Sequence, residues 1–342
     1  MLKKTLIVFS ASILFYSFTL AQGENMSDYK TTGKIYREDP AINKLIPENA
    51  EIEILADGFA WCEGPVWIKE GGYVLFSDIP NNSILKWSDE EGLSVFLRPA
   101  GYALGNNPPG RELGTNGLYV NPVNGELVLC DHGNRCLAVL NRQNWTKSVI
   151  IDAYKGKRLN SPNDVVISSK GHIYFTDPPY GLTGPDYPGK ELDFSGVYHL
   201  TPDGKVDLVT KELDFPNGIA LSTDEKTLYV SNTEKRKIWM IFDVAEDGST
   251  SNGRIFYDAT GFDKYGKGGG ADGMAVDEEG NIWATGPGGV MVLTQEGKYL
   301  GSIDTETLVA NCTFGGKNGN ELYIASQNYL CRVKLSVKGA GF

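Results

Sequence analysis

Apolar and polar positions along this 342-residue chain come in short alternating runs, too brief for amphipathic helices. Residues 163–177 show the form: Asn163 and Asp164, a three-residue apolar run, a Ser-Ser-Lys-Gly turn, and a second run, HIYFTD, ending at Asp177. Apolar runs of this length, bounded by Gly, Asn and Asp, predict two strands joined as a hairpin. The same pattern opens at Glu63, Asn116, Asn217, Asp272 and Asn311, and each copy closes 14 or 15 residues later.

The six openings lie 53, 47, 54, 55 and 39 residues apart. Further strand-like runs stand between them, among them SILKWS, CLAVLNR, GVYHLT, KIWMIFDV and GVMVLT, some followed by turns such as PDGK and QEGK. A repeat of this length holding about four strands is the mark of a propeller blade. The chain is therefore expected to be all-β, a six-bladed β-propeller with four-stranded antiparallel blades spanning residues 47–338. The last repeat is one strand short. The run at residues 50–59 is expected to complete it and close the ring.

Composition sharpens this picture. With 41 Gly, 17 Tyr, 14 Phe and 6 Trp, the chain suits many strands and tight turns. The formal net charge of −11 argues against nucleic-acid binding and suits a protein that attracts cations. At the N-terminus, Lys3 and Lys4 precede an apolar stretch over 5–20, and Thr19-Leu20-Ala21 has the small residues of a cleavage site. Residues 1–21 are read as a secretory signal peptide, which predicts an exported protein, periplasmic or secreted, with no stable membrane span after cleavage. Residues 22–46 are expected to be a flexible tail. The odd count of five Cys leaves at least one free; they are read as small buried hydrophobes, with a Cys130–Cys136 bridge as the open alternative.

In a propeller the first strand of each blade lines the central channel. Glu63, Asn116, Asn163, Asn217, Asp272 and Asn311 should then converge at one end of it, with Asp78, Asp131, Asp177 and Asn232 near the rim. A lone Asn before a strand is usually a turn former. Six equivalent positions that all carry a side-chain oxygen point instead to a shared ligand. Two carboxylates among amides call for a cation. An all-oxygen set favours Ca²⁺, with Mg²⁺, Mn²⁺ or Zn²⁺ as substitutes; a metal that only pins the ring closed is the structural alternative.

The motifs CEGPVW, RLNSPNDVV, YFTDPPYG, FPNGIALS, GADGMAVD and NCTFGG, in this order at blade spacing, resemble the regucalcin/gluconolactonase family of calcium-dependent propellers over about residues 47–335. The resemblance implies a divalent metal held by Glu63, Asn163, Asn217 and Asp272, and hydrolysis of a small-molecule lactone. Asn116 and Asn311 are then left for substrate contact or for support of the ligands. Asp272 is the expected general base, a role in which it remains a metal ligand. His132, in CDHGNR, is the second candidate base or a hydroxyl-binding group. Arg135 and Arg158 are expected to bind sugar hydroxyls or a carboxylate, or else to serve in ion pairs, and Tyr180 to shape the mouth. No G-x-S-x-G elbow, Walker loop or H-E-x-x-H is present. The rivals are a metal-dependent hydrolase of another ester, lactone or phosphotriester, and a non-catalytic calcium-binding propeller. The natural lactone and the oligomeric state are not readable from these motifs; loops 102–113 and 180–194 are expected to set the former.

Overall fold

The computed structural model describes residues 29–103, 110–183, 187 and 189–342. Six antiparallel sheets stand around one axis. The first blade runs Cys62–Ile68, Tyr73–Asp78, Ser83–Ser88 and Gly92–Leu97 from the axis outward. The inner strands of the other blades are Thr115–Val120, Val165–Ile167, Pro216–Leu221, Met274–Val276 and Asn311–Gly315. These six strands contact one another in a ring.

The hydrophobic core is divided into six clusters, one between each pair of neighbouring blades. Val128, Cys130 and Leu137 of blade two meet Phe175 and Tyr198 of blade three, for example, while Trp239 of blade four meets Ile282 and Met291 of blade five. Alternate side chains of a strand enter opposite clusters, so strands such as Leu127–Asp131 and Gly289–Leu293 are buried on both faces and read as short, nearly continuous apolar runs.

The ring closes as expected. Ile52–Asp57 pairs with Tyr329–Lys334, joining an N-terminal strand to the last blade. Arg332 rivets the closure from a buried position. Its Nε donates to Glu53 at 2.7 Å, and Nη1 reaches Asp89 of blade one at 3.0 Å and Glu321 at 3.2 Å.

The expectation of a flexible tail over 22–46 is corrected from residue 29 onward. Lys30–Thr32 adds a fifth strand to blade six, and Lys34–Arg37 adds one to blade five. A four-residue helix, Ile42–Leu45, then buries Ile42 and Leu45, with Ile46, between those blades. The unpaired backbone groups of two outer strands drive this docking, because a sheet edge pairs with any extended segment that reaches it. The signal-peptide residues 1–21 lie outside the described residues. Among the described residues no helix is long and apolar enough to cross a membrane.

All five Cys are free and buried. Cys130 faces Leu137 across the hairpin of blade two. Cys136, one position earlier on that strand, therefore points to the opposite face, and no bridge joins the two.

Candidate active site

Three of the axial residues stand at defects in their strands. Register breaks fall between Glu63 and Val66, between Thr115 and Leu118, and between Pro216 and Ile219. Such a bulge bends the strand and redirects the side chain it carries. Here it turns Glu63, Asn116 and Asn217 toward the axis. The glycine that follows lets the strands crowd together there. A Cβ on Gly218 would stand 2.2 Å from the carbonyl oxygen of Asp272, and one on Gly64 would stand 2.2 Å from that of Asn116.

The hairpin-closing residues hold the entry to these strands. Asp177 accepts the N–H groups of Asn160 and Ser161 at 2.8 Å each, just before Asn163. Asp78 accepts those of Ala60 and Trp61 at 3.3 Å, just before Glu63, and Asn232 Oδ1 accepts that of Phe215 at 2.9 Å, just before Asn217. Asp131 instead closes its own turn through the Asn134 N–H at 2.9 Å and an ion pair with Lys147. Hydroxyls link the blades: Ser77 donates to Asn116 O at 2.7 Å, and Thr176 to Asn217 O at 2.6 Å.

Glu63, Asn116, Asn163, Asn217 and Asp272 line one cavity of about 530 Å³, together with Trp61, Arg111, Glu112, Tyr180 and Thr233. That volume suits a small ligand. Glu63 and the three Asn are buried, while Asp272 is partly open to the cavity. Within the cavity Asn116 Oδ1, Asp272 Oδ1 and the Tyr180 hydroxyl are enclosed without a hydrogen-bond partner. Burial pushes the Glu63 carboxyl up to about 8, aided by the charge of Asp164 and against the Gly64 N–H. Burial, then the charges of Glu63 and Asp164, holds Asp272 well above the carboxylate range. Among the described residues no three His, Cys, Asp or Glu side chains gather at one point. The pole is built from two carboxylates completed by amides. Unpartnered oxygens beside carboxylates that resist ionisation fit a hard cation, which would favour their charged forms and take up their lone pairs.

Other expected residues fall elsewhere. Asn311 is turned away from the cavity: its Oδ1 accepts the Cys312 N–H at 2.8 Å, so its amide donates to Glu63 and Asp164 behind the pole. It faces a smaller cavity of about 190 Å³ at the opposite end of the channel. Arg135 is not among the lining residues. Its Nε donates to the carbonyls of Leu159 and Asn160 at 2.8 and 3.0 Å and its Nη1 to that of Gly189 at 2.9 Å, bracing the loops, while Nη2 is enclosed without a partner. Arg158 is exposed and donates to Asn134 O at 3.0 Å. His132 lies one layer back, with Nδ1 2.8 Å from Glu112 Oε2.

Sequence reasoning missed Glu112, Thr233 and the buried carboxyl of Asp164, pushed by burial to about 7. Glu112 and Thr233 stand outside the repeated openings, so the pattern that exposed the axial set carried no signal for them.

The six-bladed propeller opens a cavity for a small ligand at a polar axial pole, a scaffold whose activity its site and relatives decide. Residues 61–328 match the model of the SMP-30/Gluconolactonase/LRE-like region. A gluconolactonase of Zymomonas mobilis is 39% identical over 325 residues, covering 92% of this chain and 90% of that one. The solved structure of a gluconolactonase from Xanthomonas campestris superposes with a TM-score of 0.76 at 30% identity, covering 89% of this chain and 97% of that one. Regucalcin from Agrobacterium tumefaciens, described as a calcium-binding protein, shares the fold with a TM-score of 0.64 at 18% identity, over 84% of this chain and 94% of that one. The chain belongs to the SMP-30/gluconolactonase family. It is a lactone-hydrolysing enzyme that acts on a small molecule.

Proposed function

We propose that this enzyme hydrolyses an aldonolactone such as glucono-1,5-lactone, with a divalent cation, Ca²⁺ foremost, held by Glu63, Asn163, Asn217 and Asp272. The observation that carries this reading is that Glu63, Asp272 and the side chains of Asn116, Asn163 and Asn217 line one cavity, with Asp272 Oδ1 and Asn116 Oδ1 left unpartnered. When bound, the cation supplies Lewis-acid polarisation of an ester carbonyl and stabilises the negative charge that develops on its oxygen.

The chain's own residues do the rest. Asp272 takes a proton from the attacking water as the new carbon–oxygen bond forms. When the ring carbon–oxygen bond breaks, the same carboxyl returns that proton to the departing ring oxygen, so the product is the open hydroxy acid. Asn116 and Tyr180 offer an acceptor and a hydroxyl to the sugar ring, and Trp61 with Ile79 and Pro80 keeps part of the wall dry.

The test is acid release from a panel of aldonolactones, measured with Ca²⁺, with a chelator and with Asp272→Asn. The expected outcome is cation-dependent turnover that falls about 10²- to 10⁴-fold in the variant, the range of a lost general base. Unchanged turnover in chelator, or in Asp272→Asn, overturns the assignment.

A further inference from the structure

Glu112 sits in the connection between the first two blades, just before the strand Thr115–Val120, and its carboxylate is held from two sides. Oε2 lies 2.8 Å from His132 Nδ1, and Oε1 accepts from Arg111 Nη2 at 3.0 Å. The segment is pinned to the loop carrying Tyr180 by the Arg111 N–H, which donates to Gly181 O at 2.8 Å. Glu112 lines the 530 Å³ cavity beside Glu63, Asn116 and Asn163, and Glu63 feels its charge.

The His132 contact is specific in its direction. A carboxylate only accepts, so Nδ1 must carry the hydrogen. His132 Nε2 is enclosed and has no partner. The buried ring thus spends its one hydrogen bond on orienting Glu112. Burial works to raise the Glu112 carboxyl, but His132 and Arg111 outweigh it and hold the group below its ordinary range, so it is an anion at neutral pH. An ionised carboxylate has about four lone-pair sites, and two are taken. The rest remain for donors in the cavity.

A plain lactone has a carbonyl and a ring oxygen, both acceptors, and would leave this anion unmatched. A lactone that bears hydroxyls has the donors it lacks. We propose that Glu112, positioned by His132, recognises ring hydroxyls and so restricts the site to polyhydroxylated lactones; this rests on the aldonolactone reading above. Sites built to bond a hydroxyl discriminate strongly against analogues that lack it, because the site's polar group is then left unpaired.

The inference is tested by calorimetric binding of two ring-closed probes that are not turned over and carry no ring N–H donor, the N-methyl forms of glucono-1,5-lactam and δ-valerolactam, to the full chain in Ca²⁺. Wild type is expected to prefer the hydroxylated lactam. Glu112→Ala should lower that affinity about 10- to 100-fold, the worth of a hydrogen bond to a charged group, and leave binding of the lactam without hydroxyls unchanged. Glu112→Gln, which keeps the shape and one acceptor, should fall between. His132→Asn retains an N–H near the place of Nδ1 and should preserve the preference, whereas His132→Ala should lose it. Full preference retained in Glu112→Ala or in His132→Ala, preference lost in His132→Asn, equal losses for both lactams, or a wild type without preference each overturns the proposal. Turnover of glucono-1,5-lactone by the same wild-type preparation separates the two readings. Hydrolysis without lactam preference sinks only the role of Glu112, and preference without hydrolysis sinks only the aldonolactone reading.

Discussion

To hold the proposed cation Asn217 would have to turn its amide oxygen to the axis, and Thr233 favours that orientation. The Thr233 hydroxyl donates to Ala271 O at 2.7 Å, so it can only accept from Asn217 Nδ2 at 2.8 Å, which leaves Oδ1 free. Thr233→Val removes this fix while keeping the volume. Calcium affinity is expected to fall about 10- to 100-fold by calorimetry, the usual cost of losing a residue that orients a metal ligand; wild-type affinity would show that Asn217 needs no such support. At this scale the sequence was legible wherever a residue type recurred at blade spacing, which brought out six openings, five of them lining the cavity. It was silent on orientation. Nothing in NCTF tells that Asn311 turns its oxygen to Cys312, and nothing in CDHGNR tells that Arg135 donates to three loop carbonyls while His132 faces Glu112.

Among the elements, the inner strand with its bulge and following glycine builds the site. The dipeptides Glu63-Gly64, Asn116-Gly117, Asn217-Gly218 and Asp272-Gly273 combine a side chain for the axis with a backbone thin enough to let the next blade close in. At Gly218 the obstacle to a Cβ is the main chain of Asp272, which has no flexible end to move. Gly218→Ala should destabilise the fold by about 1–3 kcal/mol, as overpacking does, and displace Asp272 enough to weaken turnover; a urea midpoint and rate equal to wild type would contradict the close approach. The hairpins were readable because burial on both faces makes each strand a short apolar run bounded by turn residues. The strands Lys30–Thr32 and Lys34–Arg37 were not, since they are short, partly exposed and defined by the edge they meet rather than by a pattern of their own.

Across the whole molecule, closure of the ring holds the pole together, since residues from five blades must meet on one axis. The strand Ile52–Asp57 supplies the joint, and Arg332 ties it to blades one and six. Arg332→Met leaves Glu53 buried without its partner and is expected to cost about 3–5 kcal/mol in urea unfolding, the penalty of an uncompensated buried charge; a loss below about 1 kcal/mol would make the network dispensable.

The central claim, that the pole is a cation site, carries a pH signature. Folded, Glu63 and Asp164 keep their protons to about 8 and about 7, above their ordinary values of 4.5 and 3.8. The folded state then binds more protons than the unfolded one across that window, so cation-free stability falls as pH rises through it. A cation takes the place of those protons, and its stabilising effect should grow over the same range. The decisive measurement is the thermal midpoint of wild type and Asp272→Asn with Ca²⁺ and with chelator, at about pH 5 and about pH 8. The account predicts a calcium-dependent rise in wild type that is larger at the higher pH and reduced in Asp272→Asn. A midpoint indifferent to calcium at both pH values, in protein free of any other metal, would contradict it.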